Sequence, residues 1–391
     1  MPKRRIGLFY AQLYAGGAEL LTLALAKALR ENGYRVELVT TASTDWPKIR
    51  KILGIGKEAV DAETVIPPFI HVPTIYSKFV YWLFRDAIMT PLMKREFDLT
   101  INTWPVLPVV FSDILYVHFP FFLASRLDEW SEKYSHTGGW AYSLPFRELC
   151  RLFIKAFNSL EYRPVVLTNS TYIQRAIEYH LRVKADVVYP PVDTRKYSFS
   201  CSQGIRRNIV LTISRFSQEK NLDEVLAVAK DTPEASFVIL GESDDGKSDY
   251  VERLRRKAEQ IGMSDRVSLI VNAGENEKAK LLSQAKVYLH TMKNEHFGIS
   301  IVEAMSAGLV PLVHRSGGPW LDILKETEGL VGYSYRNSRE AAAIISELIK
   351  NDSRREWLSK NAVKRAKAFD SSVFESSMIR IVERILATRS R

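Results

Sequence analysis

The chain has 391 residues, of which 46% are hydrophobic and 26% are charged, as in an ordinary soluble globular protein of two domains. Its two cysteines, Cys150 and Cys201, exclude a disulfide framework and a paired CxxC metal site; they fit a reducing compartment and leave room for one disulfide. The net charge of +10 suits an anionic partner, such as a nucleotide diphosphate, a nucleic acid or an anionic membrane surface.

The N-terminus is basic, but the apolar stretch behind it, Ile6–Tyr10, is too short for a signal peptide and is typical of a strand. No uncharged apolar run reaches the length of about 18 residues that a membrane-spanning helix needs. We therefore expect a cytoplasmic protein with no signal peptide and no transmembrane helix.

The first half of the chain alternates buried strands with helices. The predicted strands are Ile6–Tyr10, Val36–Thr40, Leu99–Asn102, Ile114–Val117, Val165–Asn169 and Val187–Tyr189, and a predicted helix, Ala18–Arg30, follows the turn at Gly16 and Gly17. Strand, turn, helix and strand form a βαβ unit with a parallel strand pair. Two prolines then break the chain, and polar residues 193–203 form the predicted domain linker.

A second alternating series follows the linker. Its predicted strands are Asn208–Ser214, Ser236–Gly241, Val267–Val271, Val287–His290 and Leu309–His314, and its predicted helices are Leu222–Lys230, Tyr250–Ile261, Glu277–Ala285, Ile299–Ala307 and Arg339–Lys350. Such alternation predicts a doubly wound parallel sheet. We therefore predict an α/β protein with two Rossmann-like domains, residues 1–193 and 194–368, and a C-terminal helix, residues 369–391, that packs back on the first domain.

The segment from Glu295 to Glu303 carries the strongest chemical signal. It follows a buried strand, and Gly298 opens the next helix, so the N–H groups of a helix N-terminus lie where open α/β sheets bind ligands. Two carboxylates beside an anion site suit a ligand with vicinal hydroxyls next to its phosphates, such as a ribose and a sugar. The spacing of the two glutamates alone is equally consistent with solvated surface residues.

Two cations, Arg215 and Lys220, follow the first strand of the second domain. Both lie on the loop at the carboxyl end of that strand, where they can neutralise a diphosphate and stabilise its departure. Two solvated surface charges are the alternative interpretation.

Several further residues follow predicted strands. His118 could hydrogen-bond a sugar hydroxyl near the reacting carbon, although a lone histidine is more often structural. The turn at Gly16 and Gly17 lacks the GxGxxG spacing, which disfavours a dinucleotide, and residues 316–319 could line a phosphate site. No HExxH, Walker A or nucleic-acid motif is present, so we predict neither a metal site nor a nucleic-acid partner.

Together these residues resemble the family-4 retaining glycosyltransferases, whose GT-B fold has two Rossmann-like domains facing a cleft. Glu295 and Glu303 match the EX7E signature, Arg215 and Lys220 match the diphosphate-binding pair, and Gly16, Gly17, His118, Gly317 and Gly318 fall where the family places its equivalents. Segments 116–120, 169–171, 188–193, 294–299 and 307–319 are similar to the GDP-mannose-dependent α-1,2-mannosyltransferases that extend the lipid-linked oligosaccharide of N-glycosylation. Eukaryotic members carry an N-terminal membrane anchor, and this sequence starts directly at its first strand.

The resemblance implies a role for each residue. Glu303 would bind the nucleotide ribose, Glu295 the hydroxyls of the donor sugar, and His118 the donor sugar near its 6-hydroxyl or anomeric face. The implied donor-binding set is Gly16, Gly17, Arg215, Lys220, His296, Phe297, Gly298, Ile299 and Glu303, with Glu295, His118, Arg215 and Lys220 as the catalytic residues. Front-face attack would retain the anomeric configuration, without a metal or other cofactor because fixed cations and the helix dipole take the charge.

The acceptor is expected to lie against the first domain. The aromatic and basic stretch 69–85, which includes Lys78 and Trp82, and the apolar residue Phe121 are predicted to meet an anionic membrane surface and a lipid-linked acceptor of the dolichyl-pyrophosphate type. This would make the protein peripheral on the cytoplasmic face of a membrane. A buried core helix is the alternative for the same stretch.

Two other functions remain open. One is a family-4 transferase that uses a UDP-sugar and a different glycan or lipid acceptor. The other is a non-catalytic nucleotide-binding protein on the same fold, although the joint presence of Glu295, Glu303, Arg215 and Lys220 argues against it.

Overall fold

The computed structural model describes residues 3–14, 16–66, 88–105, 111–120, 148, 151–152, 154–155, 157–159, 163–198, 206–243 and 249–389. The chain divides into two compact units. The first comprises Met1–Pro191 and Ser372–Arg391, and the second comprises Val192–Ser371. A hydrophobic core of its own holds each unit together.

The first unit is built on a parallel sheet of seven described strands in the order β3-β2-β1-β4-β5-β6-β7. The strands are β1 (Arg5–Phe9), β2 (Arg35–Thr40), β3 (Ala62–Val65), β4 (Leu99–Asn102), β5 (Ile114–Val117), β6 (Val165–Thr168) and β7 (Ala185–Val187). Its described helices include α1 (Gly17–Glu31), α2 (Trp46–Leu53), α3 (Thr90–Met93) and α4 (Thr171–Leu181). Near-continuous apolar strands suit a parallel sheet that is covered on both faces.

The second unit has a parallel sheet of six described strands in the order β10-β9-β8-β11-β12-β13. They are β8 (Ile209–Ile213), β9 (Ser236–Gly241), β10 (Val267–Val271), β11 (Val287–His290), β12 (Val310–His314) and β13 (Tyr333–Tyr335). The helices are α5 (Asp223–Lys230), α6 (Asp249–Gln260), α7 (Glu275–Gln284), α8 (Ile299–Ser306), α9 (Ser338–Lys350) and α10 (Asp352–Ala366). The prediction of two doubly wound parallel sheets is confirmed.

Three strands differ from the sequence prediction by more than one residue at an end. The strand predicted at 187–189 lies at Ala185–Val187, because Val188 turns into the core and its carbonyl accepts a hydrogen bond from the hydroxyl of Tyr116. Strands β3 and β13 were not predicted. Both lie at an edge of their sheet, where short and partly polar strands give a weak apolar signal.

The C-terminal helix α11 (Ser371–Arg389) belongs to the first unit. Phe374, Met378 and Val382 recur every four residues on one face of this helix and are buried in the core of that unit. The predicted packing of the C-terminal helix on the first domain is therefore confirmed. None of the described helices combines the length and the apolar character needed to cross a membrane.

The last turn of α11 is tied to the sheet through a buried carboxylate. Asp113 accepts hydrogen bonds from the guanidinium of Arg389, from Nζ of Lys94 at 2.9 Å and from the backbone N–H of Thr100 at 2.8 Å. Burial alone raises the pKa of Asp113, but the bonds from Arg389 and Lys94 outweigh it and hold the pKa below its ordinary value. The carboxylate is therefore ionised in the folded protein at neutral pH.

We expect Asp113→Asn to lower the free energy of unfolding by about 3 kcal/mol at pH 7, because it leaves two cations without their buried counterion. The folded-state pKa is depressed, so this stabilisation is complete above the unfolded-state pKa of about 4 and is lost as pH falls toward the folded-state pKa. Denaturant unfolding of wild type and variant between pH 7 and pH 3 measures both effects.

Asp186→Asn is the matched control, because it removes a half-exposed carboxylate that lies 4.0 Å from the exposed Lys184. It is expected to leave stability nearly unchanged. Equal stability of the Asp113→Asn variant and wild type at pH 7 would contradict the structural role given to Asp113.

Candidate functional site

The candidate site lies where the strand order of the second sheet reverses, between β8 and β11. Ligands of open α/β sheets bind outside the carboxyl ends of the strands at such a point. Strand β8 leads into a loop that ends in the short helical turn Gln218–Lys220, and β11 leads into a loop that ends at α8. The hydroxyl of Thr291 donates to the carbonyl of Lys220 at 2.8 Å, which ties the two loops together.

Lys220 and Glu295 form an ion pair between these loops. Nζ of Lys220 lies 2.8 Å from Oε2 of Glu295 and 3.0 Å from Sδ of Met292, and the paired side chains are 17% and 11% exposed. Nε2 of His290 lies 3.3 Å from the same carboxylate oxygen. The other oxygen, Oε1, accepts the backbone N–H of His296 at 2.9 Å.

These contacts decide the charge of Glu295. Burial on its own raises the pKa of the carboxyl, but the Lys220 ammonium and then the hydrogen bond and charge of His290 more than offset it. The pKa of Glu295 is therefore well below its ordinary value. The site holds a fixed anion beside a fixed cation at neutral pH.

Close backbone contacts shape the loop around Glu295. Gly298, at φ +96°, precedes α8 in a left-handed conformation that favours glycine. The backbone N–H of Gly318 donates to the carbonyl of Glu295 at 2.8 Å. A Cβ atom at Gly318 would lie 2.1 Å from the carbonyl oxygen of His296, so only glycine permits this approach.

The second glutamate of the segment, Glu303, lies on α8 and pairs with Lys278 of α7. Both side chains are about four-fifths buried, since they are 18% and 17% exposed. Each glutamate of the segment thus has its own lysine, and the two lysines come from different elements of the chain.

The other residues predicted to bind the donor differ in their surroundings. Arg215 is 70% exposed and lies 3.5 Å from Glu219; among the described contacts it meets neither Lys220 nor Glu295. Phe297 is buried and its ring packs edge-on against Phe369, with 5.3 Å between the centroids, so its side chain anchors the loop. His296 is half-buried, and Ile299 is the first residue of α8.

In the first unit, Gly16 precedes α1 and Gly17 is its first residue. His118 follows β5 and packs against Tyr116 and Trp104, with ring centroids 4.9 and 5.9 Å apart. Burial lowers the pKa of His118 to about 3. A hydrogen bond with the backbone of Thr103 raises the pKa, but its effect is smaller than that of burial. The ring is therefore neutral, and its buried Nε2 has no hydrogen-bond partner among the described residues.

Lys78, Trp82 and Phe121, predicted to meet the acceptor or a membrane, lie outside the described residues. Within the described ranges, no three His, Cys, Asp or Glu side chains converge to hold a metal ion.

Comparison with protein families decides the identity of the fold and of the motif. The family described as Glycosyltransferase Family 4 matches residues 15–196, and the family described as Glycosyl transferases group 1 matches residues 197–365. The two matches join end to end and include every residue assigned above to donor binding. The chain belongs to the family-4 glycosyltransferases.

Curated relatives of this family-4 chain carry a more specific name. A GDP-Man:Man(3)GlcNAc(2)-PP-Dol alpha-1,2-mannosyltransferase of Dictyostelium discoideum is 29% identical over 215 residues, which are 51% of this chain and 42% of that protein. The Neurospora crassa protein of the same name is 26% identical over 377 residues, which cover 76% of this chain and 67% of that one. The alignment with the first of these thus spans less than half of the relative's length.

Solved structures share the fold of this family-4 chain over nearly all of its length. Alr3699/HepE of Anabaena, in complex with UDP and glucose, has a TM-score of 0.70 at 20% identity, covering 97% of this chain and 99% of that one. Sucrose-phosphate synthase of Thermosynechococcus elongatus has a TM-score of 0.73 at 15% identity, covering 99% and 100%. At these identities the likeness shows the GT-B fold alone.

Sequence reasoning missed two residues that contact the glutamates of this family-4 motif. His290 is the last residue of the buried strand β11, and a polar residue at the carboxyl end of a buried strand is a signal that could have found it. Lys278 lies on the exposed pattern of an ordinary surface helix. Its ion pair with Glu303 joins two helices that are far apart in the chain, and no local sequence signal predicts that contact.

We expect Gly318→Ala to destabilise this glycosyltransferase by about 1–3 kcal/mol and to displace the Glu295 loop, because the added Cβ would overlap the carbonyl of His296. Gly274→Ala is the matched control, since a Cβ there would meet nothing within 4 Å. Thermal unfolding of both variants measures the difference. A Gly318→Ala melting temperature equal to that of the control would show that the close approach is not required.

Proposed function

We propose that this protein is a retaining glycosyltransferase that moves a mannosyl residue from GDP-mannose to a lipid-linked oligosaccharide, in α-1,2 linkage. The observation that carries the proposal is the buried Lys220–Glu295 pair at the switch point of the second sheet. The names of the curated relatives support the donor and the acceptor. Family membership supports the reaction class.

Glu295 is proposed to hold hydroxyls of the donor sugar. Its Oε1 accepts one hydrogen bond among the described residues, from the N–H of His296, and an ionised carboxylate oxygen can accept another. The pKa of Glu295 is held low by Lys220, so the group acts only as an acceptor. A carboxylate fixed in this way orients the sugar ring without a conformational cost at the time of reaction.

Lys220 and Arg215 are proposed to stabilise the diphosphate. The Lys220 ammonium has three N–H donors, of which Glu295 and Met292 take two, so one remains for a phosphate oxygen. The exposed guanidinium of Arg215, on the same loop, can turn toward an incoming anion. With the N-terminus of α8 these cations take the charge of the leaving group, so the proposed reaction requires no metal ion.

Glu303 is proposed to bind the ribose, and His118 to contact the donor sugar as a neutral ring. In the proposed reaction, the bond between C1 of the sugar and the β-phosphate oxygen breaks. The acceptor hydroxyl oxygen forms a new bond to C1 on the same face, and its proton passes to the departing phosphate oxygen. We also propose that Lys78, Trp82 and Phe121 contact the lipid of the acceptor. The protein would then lie on the cytoplasmic face of the membrane as a peripheral protein.

We expect Glu295→Gln and Lys220→Met each to cut turnover at least about tenfold, or 1.4 kcal/mol of barrier, because each removes one charge of the buried pair. Steady-state transfer from GDP-mannose measures the effect. The matched control is Lys257→Met, which breaks an ion pair of similar length with Asp223, 2.6 Å, on the more exposed face of the same unit. Near-normal turnover in both site variants would refute the site.

Product analysis tests the donor and the acceptor. Wild-type protein with GDP-mannose and a lipid-pyrophosphate oligosaccharide ending in mannose is expected to yield a product longer by one mannose, and an α-1,2-specific mannosidase is expected to remove it. UDP-glucose with the same acceptor is the parallel arm. Transfer from UDP-glucose but not from GDP-mannose would replace the proposed donor, and a product resistant to the mannosidase would replace the linkage.

A further inference from the structure

The carboxylate of Glu303 is held in place by a lysine of the same unit. Nζ of Lys278 donates to both of its oxygens, at 3.0 Å each. An ammonium shared by both oxygens limits rotation of the carboxylate more than a single contact does. Both side chains are largely buried, so solvent screens this pair less than a surface ion pair.

Lys278 is in turn held by Tyr197, a residue that no sequence motif singled out. The ammonium lies 5.1 Å from the centroid of the Tyr197 ring, within range of a cation–π interaction. The ring is buried, and its hydroxyl donates to Oε2 of Glu275 at 2.8 Å. Glu275 also pairs with Lys196 at 2.7 Å.

These contacts form a continuous network from Lys196 to Glu303, and its charges alternate in sign. Glu275 balances Lys196, the ring of Tyr197 separates the two ion pairs, and Lys278 balances Glu303. Burial is the largest cause that raises the pKa of the Tyr197 hydroxyl, with the charge of Glu303 next, so the phenol stays protonated and donates. Tyr197 therefore places the Lys278 ammonium without adding a charge of its own.

We infer that Lys278 is a positioning residue, which fixes the Glu303 carboxylate so that it receives the vicinal hydroxyls of the nucleotide ribose. The inference rests on the proposed role of Glu303. A carboxylate has about four acceptor positions, of which the Lys278 ammonium uses two, and two remain for hydroxyl donors. Removing Lys278 would free the carboxylate to rotate, and the ordering cost would then fall on ligand binding.

The test compares the binding of GDP and of 2′-deoxy-GDP by calorimetry, in wild type and in Lys278→Met. Wild type is expected to bind GDP more tightly than 2′-deoxy-GDP. The variant is expected to lose about tenfold in affinity for GDP and much less for 2′-deoxy-GDP, because the lost contact involves the 2′-hydroxyl. A general loss of stability would weaken the binding of both nucleotides to a similar extent. The ratio of the two affinities therefore reports on the contact with the ribose.

Three further variants separate positioning from folding. Lys278→Arg keeps the charge and is expected to restore most of the preference for GDP. Tyr197→Phe keeps the ring under the ammonium and is expected to bind nearly as wild type, whereas Tyr197→Leu is expected to resemble Lys278→Met. Lys280→Met is the matched charge control, because Lys280 lies on the same helix with its side chain in solvent.

The outcomes are distinguishable. If wild type binds neither GDP nor UDP, the proposed function fails and the inference fails with it. If wild type binds GDP more tightly than 2′-deoxy-GDP, and Lys278→Met binds GDP at least as tightly as wild type does, the proposed function stands and the inference is overturned. An equal loss for GDP and 2′-deoxy-GDP also overturns it, since the effect would not pass through the ribose.

Discussion

The candidate site of the second unit depends on one buried ion pair, that between Lys220 and Glu295. Removing two charges from water is costly, and their mutual attraction offsets the cost only when geometry is good and the remaining donors and acceptors are satisfied. Here His290 and the backbone N–H of His296 supply those additional contacts to the carboxylate. The pair therefore requires the end of β11, the loop after β8 and the turn before α8 to stay in one arrangement.

A second constraint acts on the backbone near Glu295. Two backbone segments pack so closely there that no side chain fits between them. Segment 316–319 approaches the Glu295 loop until a methyl group at Gly317 or Gly318 would overlap carbonyl oxygens. Asn294, at φ +52°, and Gly298 take left-handed conformations on either side of the carboxylate. The loop is thus fixed by backbone contacts, so the charges of the pair are not what determines its path. The remaining acceptor positions of Glu295 and the remaining donor of Lys220 can then serve a ligand.

The sequence was most informative where a pattern has one structural solution. Apolar strands such as Val287–His290 between helical segments predict parallel strands. Gly298 predicts the start of the helix that follows it. Local chemistry determines both features. The edge strands β3 and β13 escaped prediction because they are short and partly polar, which weakens the apolar pattern. Lys278 and Tyr197 escaped because their contacts depend on packing between elements far apart in the chain, which no local periodicity encodes.

The charges of the site have a consequence for how a nucleotide diphosphate would be attracted. Glu295 is balanced by Lys220 and Glu303 by Lys278, so the two glutamates and two lysines together contribute no net charge. An approaching dianion therefore gains little from these four groups at long range. The exposed Arg215, which pairs with Glu219 only at 3.5 Å, and the N-terminus of α8 present positive charge at the same edge of the sheet. In the proposed function, Arg215 would act first, by attracting the diphosphate, and the buried pairs would act afterwards, by fixing the sugar and the ribose.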